Sequence, residues 1–179
     1  MHTLLAVLVS SIALSGCGML ILTKAERDAS GGSTVANASE DVQFLRDIAE
    51  ANLAEIAAGK LAAGKAQSPE VRNYGQRMVD EHTRAQKEAA TLARARGLSL
   101  PEGPSGQRQG AARKLEDLSG ADFDRAYMAQ MVKDHGDTLQ LLEKTAAQAQ
   151  GKDLREFAQA AMAHVRKHLE AAQRLKDGG

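Results

Sequence analysis

The chain has one cysteine, three prolines and no tryptophan in 179 residues, and its aromatic side chains are only Phe44, Tyr74, Phe123, Tyr127 and Phe157. A single cysteine excludes an internal disulfide framework and a cysteine-rich zinc site. Charge of either sign is not in excess: 23 Lys and Arg face 23 Asp and Glu. Without a basic footprint or a stacking platform, nucleic acid is not an expected partner. The sequence also lacks a Gly-rich phosphate loop, a nucleophile elbow and a His-Glu-x-x-His pair, so no catalytic residue is assigned and the reading leans away from an enzyme. Few prolines amid abundant Ala, Leu, Glu, Lys and Arg point to an all-α protein. The length suits one domain with a short segment to spare.

That segment reads as an address. Leu4 to Leu14 is apolar with small residues between, and it runs into Leu14-Ser15-Gly16-Cys17. The pattern resembles the lipobox of bacterial lipoproteins, in which the cysteine becomes the lipidated first residue. Residues 1–16 are then a signal peptide, Cys17 the lipidation site, 17–38 a flexible tether and 39–177 the folded domain. Met1-His2-Thr3 carries no Lys or Arg, and the uncharged run continues to Leu22. An uncleaved N-terminal anchor is therefore the alternative. Either way the domain is expected outside the cytoplasm, tethered to a membrane. Gly18, not Asp, follows the cysteine, which in such lipoproteins accords with outer-membrane sorting.

Four helices are expected. The first runs from an N-cap at Ser39 to about Gly64. Ser68-Pro69-Glu70 places a cap and an N1 proline before the second, which ends at Gly97. Leu98 to Gly110 reads as a long loop, with a short helix over Ala111 to Leu118. The third spans Ala121 to about Gln150, and the fourth follows Gly151-Lys152-Asp153 to about Lys176. Short connections make two antiparallel hairpins, and the long loop joins them into a four-helix bundle.

A helix turns about 100° per residue, so each inward stripe follows from spacing. Phe44, Ile48, Ala51, Ala58 and Ala62 share one stripe, with Glu55 inside it. His82 sits centrally among Val71, Tyr74, Met78, Ala85, Ala89 and Leu92. His135 sits among Phe123, Tyr127, Met131, Thr138 and Leu142. His168 sits among Phe157, Ala161, Val165, Ala172 and Leu175, with His164 at the edge. Distances from the turns put the three histidines at one level and Glu55 about one turn, roughly 5 Å, away.

Three inward imidazoles and a carboxylate form a donor set for a divalent first-row metal ion. The same residues also make a polar layer that fixes helix register and binds nothing. Glu81 and Asp134 are read as outer partners or solvated charges. The Met78/His82 and Met131/His135 pairs admit copper, although core methionines more often fill gaps. Gly136 is read as leaving room for a neighbouring helix or a small ligand.

The ordered pattern Phe44…Glu55…Gly59…Ala62, Val71…Met78-Val79-Asp80-Glu81-His82, Phe123-Asp124…Tyr127…Met131…Asp134-His135, Phe157-Ala158…His168-Leu169 resembles the envelope proteins grouped as domain of unknown function 4142. It covers residues 40–176. The resemblance implies a ferritin-like four-helix bundle, exported and often lipid-anchored, and supplies no activity. Its pattern carries over to Glu55, His82, His135 and His168. Val79, Val132 and Val165 stand where di-iron proteins carry the Glu of Glu-x-x-His, so ferroxidase chemistry is not expected. The leading expectation is a membrane-tethered periplasmic protein that binds or senses a divalent metal. The alternative is a structural or stress-related envelope adaptor whose protein partner the sequence leaves open.

Overall fold

The computed structural model describes residues 24–178, with side chains from 38 onward except that of Gln107. Five helices follow in order: α1 Lys24–Lys65, α2 Pro69–Arg94, α3 Gly106–Glu116, α4 Gly120–Gln148 and α5 Lys152–Gly178. The expected signal peptide 1–16, Cys17 and the start of the tether lie outside the described residues. The rest of the tether differs in form from the expectation: the backbone is helical from Lys24, not from Ser39. No proline interrupts Lys24 to Lys65, and once a helix is nucleated each added residue fixes few dihedrals for one more hydrogen bond. No helix among the described residues is long and apolar enough to cross a membrane.

The α1–α2 turn forms where the sequence puts its stop and restart. Ser68 Oγ accepts from the backbone N–H groups of Glu70 and Val71, and Pro69 takes the first helical position. Such a cap is worth about 1 kcal/mol. Gly97 closes α2 with a φ of 66°, a left-handed conformation that a Cβ disfavours. The expected short helix begins earlier, at Gly106, so the loop is shorter than read from its glycines and prolines. The sequence Gln107 to Ala112 holds no proline, and glycine at Gly110 weakens a helix without ending it.

The hairpins α1–α2 and α4–α5 pack as an all-α four-helix bundle, with α1 against α4 and α2 against α5. The crossover brings α3 onto α1 and α4. Lys65 Nζ donates to the carbonyls of Glu116 and Leu118, and Asp124 accepts from the N–H groups of Gln67 and Ser68. These bonds tie the end of α1 to the start of α4. At the opposite end Arg96 pairs with Asp153 at 2.7 Å.

Two apolar clusters fill the bundle. One gathers Tyr74, Met78, Phe123, Tyr127, Met128 and Met131. The other gathers Phe44, Leu45, Ile48, Leu142 and Leu154. Along every long helix, the buried polar residues Asn52, Glu55, His82, His135 and His168 fall between them. Below this layer α1 and α2 approach closely. A Cβ on Gly59 would stand 2.6 Å from the Gly75 carbonyl oxygen, and one on Gly75 would stand 2.6 Å from Ala62 Cβ. Gly136, by contrast, has open space around it, so the room expected there serves no helix contact.

Candidate metal centre

α2, α4 and α5 each deliver one histidine to the same level, as spacing requires. The ring centroids lie 5.7 Å apart for His82 and His135, 5.4 Å for His82 and His168, and 5.2 Å for His135 and His168. All three are buried, and one ring nitrogen of each falls within 4.8 Å of the other two. Ligand nitrogens around a tetrahedral ion, at bonds of about 2.1 Å, stand about 3.4 Å apart. The histidines would have to draw together to reach that spacing.

One nitrogen of each ring has its own acceptor. His82 Nδ1 donates to Asn52 Oδ1 at 3.0 Å, and Asn52 Nδ2 donates to Gln86 Oε1 at 3.4 Å. The second bond fixes which face of the amide meets the histidine. His135 Nδ1 donates to the Met131 carbonyl at 2.8 Å. His168 Nε2 donates to Glu81 Oε2 at 2.8 Å. With those protons committed, His82 Nε2, His135 Nε2 and His168 Nδ1 hold lone pairs, and all three are buried without a hydrogen-bond partner. Histidines that bind metal are oriented in this way, by a hydrogen bond from the nitrogen that does not ligate.

Glu55 completes the layer. It is 3 % exposed. Its Oε1 lies 3.6 Å from His135 Nδ1, too far for a hydrogen bond from a nitrogen already donating to Met131. Its Oε2 has no partner. Glu55 thus borders His135 on the side of Nδ1, and the group whose ligand atoms lie within 4.8 Å of one another is the three histidines. Burial drives the Glu55 carboxyl well above its ordinary range, and Asp134 adds to the shift. Burial also pushes His82 well below the usual imidazole value, with His135 and His168 adding to the effect. Burial lowers His135 and His168 as well, against the upward pull of Met131 and Glu81 respectively. Burial thus favours the neutral form of all four groups, which is rich in lone pairs.

Tyr74 and Tyr127 pack beneath. The Tyr74 ring meets His135 edge-on at 6.5 Å, and its hydroxyl donates to the His168 carbonyl at 3.3 Å. Tyr127 OH is buried without a partner. Burial raises its phenol, and the Glu55 charge adds to that.

Glu81 acts as the outer partner of His168. Asp134 lies outside the layer, where Gln130 donates to it at 3.3 Å. Met78, Met128 and Met131 belong to the apolar cluster. His164 is 70 % exposed and stands 3.8 Å from Glu81. The role of Asn52 was not legible, because an asparagine beside an apolar stripe carries no signal until its partner is known. The spacing of 30 residues between Asn52 and His82 across an antiparallel turn was the only available clue.

Fold and layer together define an all-α four-helix bundle with a three-histidine, one-carboxylate core. The chain belongs to the family described as domain of unknown function DUF4142, whose model matches residues 26–175. The crystal structure of a conserved hypothetical protein, rv2844, from Mycobacterium tuberculosis is similar, with a TM-score of 0.63 and 19 % identity. The match covers 80 % of this chain and 94 % of that one. At that identity the likeness establishes the shared fold alone. None of the curated proteins matches the chain.

Proposed function

We propose that the protein binds a divalent first-row metal ion through His82, His135 and His168, with Glu55 as a fourth ligand. One observation carries this reading. Three buried histidines from three helices bring one ring nitrogen each within 4.8 Å of the other two, and each ring has one nitrogen held by an acceptor and one buried without a partner. An unpaired buried polar group costs about 1–3 kcal/mol, and a cation among the histidines would relieve three such costs together, with a fourth if the Glu55 side chain turns to reach it. A layer that only sets register would pair its groups with one another, and Glu55 and His135 are not so paired.

We propose further that the domain is held at the periplasmic face of a membrane, the outer one, by a lipid on Cys17. The apolar run from Leu4 and the Leu14-Ser15-Gly16-Cys17 sequence support this. Labelled palmitate should enter the protein and be lost with Cys17→Ser. A chain that keeps residues 1–16 and takes up no label would overturn it.

The metal reading is tested on the full chain without a His-tag. It is loaded separately with zinc, copper and iron, desalted and subjected to elemental analysis. About one ion per chain is expected, absent from His82→Ala and His135→Ala but kept in His164→Ala, which alters an exposed imidazole. No retained metal in the unaltered protein would make the layer a register device and move attention to partners on the outer faces.

A further inference from the structure

The α2–α5 seam is the loosely packed side of the bundle, in contact over far less of its length than either hairpin. A cleft of about 640 Å³ opens along it and reaches inward to His82 and His168. That volume falls in the range of small-molecule sites between helices of a bundle. Most of its lining is apolar.

Its cations, all exposed at the rim, gather near the histidine level. Arg77, Arg84 and Lys167 line the cleft and enter no ion pair among the described residues. Arg77 is five residues before His82, Arg84 two after it, and Lys167 adjoins His168. All three therefore flank the histidine level. Ile48, Leu142 and Phe157 line the other end. Phe157 lies eleven residues from His168, about 16 Å along α5. Two carboxylates also border the cleft. Glu81 is committed to His168, and Glu88 is exposed at the rim.

The burial of α5 fits an open seam. Phe157 and Ala161, expected on its inward stripe, are only half-buried, while Val165 and Ala172 on that stripe, and Leu154, Ala158 and Ala171 beside it, are buried. The helix is turned so that two of its apolar residues face the cleft.

We propose that this cleft binds a single-chain carboxylate amphiphile. Its head group lies among Arg77, Arg84 and Lys167, and its acyl chain runs toward Phe157, Ile48 and Leu142. The proposal is independent of the metal ion, because the cations that recognise the head group are not ligands. Guanidinium and ammonium groups bind carboxylate by charge-assisted hydrogen bonds, and the apolar end removes the chain from water.

The test uses the full chain in a mild detergent and a decanoic acid analogue carrying a diazirine. After irradiation, adducts are mapped by peptide mass spectrometry. They are expected on α2 and α5, competed by decanoate but not by a decyltrimethylammonium salt of equal chain length. Replacing both Arg84 and Lys167 by alanine should weaken the competition by about tenfold, the loss of one or two charge-assisted bonds. Ala160→Trp, at an exposed position lining the cleft, should block labelling without disturbing the core, as circular dichroism would verify. Adducts scattered over all helices, equal competition by the cationic amphiphile, or unchanged labelling in both variants would overturn the proposal.

Discussion

Asn52 Oδ1 stands 3.0 Å from His82 Nδ1, bridging α1 and α2 inside the core. That bond assigns the ring proton to Nδ1 and leaves Nε2 with its lone pair and no partner. Glu81 does the same for His168 from its other nitrogen. Removing such outer partners typically lowers metal affinity 10- to 100-fold. Asn52→Ala and Glu81→Gln should each fall in about that range in a competition titration with a chromogenic chelator, with stoichiometry unchanged. Affinities equal to the unaltered protein would mean that the rings are held by packing alone.

Glu55→Gln separates metal binding from stability. Burial favours the protonated carboxyl in the metal-free protein, and the isosteric amide mimics that neutral form. Loss of stability at pH 7 should be small, within about 0.5 kcal/mol, while ion affinity drops. A large loss in the metal-free state, measured by urea unfolding, would show the carboxylate charge to be part of the apo fold.

The pH dependence of the metal-free protein has opposing contributions. The histidine values are lowered by folding, so the unfolded chain binds more protons below its value of 6.5. Their stabilisation is complete above that pH and is lost as pH falls through the folded values. Glu55 is raised by folding, so its contribution is complete below 4.5 and is lost as pH rises through its folded value. Three histidines outweigh one acid, and stability should rise with pH between 4.5 and 6.5. In Glu55→Gln the rise should be steeper. The bound ion should leave over the acid range, because the ligands must be deprotonated. Urea midpoints across pH, with and without chelator, check both statements.

Gly59 and Gly75 should not tolerate a side chain. Alanine at either position meets backbone or a neighbouring Cβ at 2.6 Å, and forced helix separation costs about 1–3 kcal/mol. Gly64 lies in the same α1 helix with open space around it. There alanine should stabilise by up to about 1 kcal/mol through helix propensity. Thermal midpoints that move alike for Gly59→Ala and Gly64→Ala would refute the close crossing.

The bundle was readable because its inward stripes are narrow and its turns carry strong chemistry. Ser68-Pro69 and Gly97 mark helix ends by mechanisms that act within a few residues. His82, His135 and His168 could be levelled because antiparallel hairpins convert sequence distance from a turn into height. Glu55 could be placed only to about a turn from the histidines, because the reach of its side chain is not written in the spacing. The start of α1 and of α3 escaped because Ser, Gly and Asn weaken a helix without forbidding it. The rotation of α5 that half-exposes Phe157 depends on how α2 and α5 pack, which no single helix encodes.

The crossover places α3 on α1 and α4, and the seam on the other side is left loosely packed. The bundle is thus built like a book, with a stitched spine and a fore-edge that is merely closed. His82 and His168 belong to the two leaves that meet at that edge, while Glu55 and His135 sit toward the spine. An ion drawing these four together acts as a clasp. On that proposed reading, its arrival would join the two leaves at the edge where the bundle's own packing is thinnest.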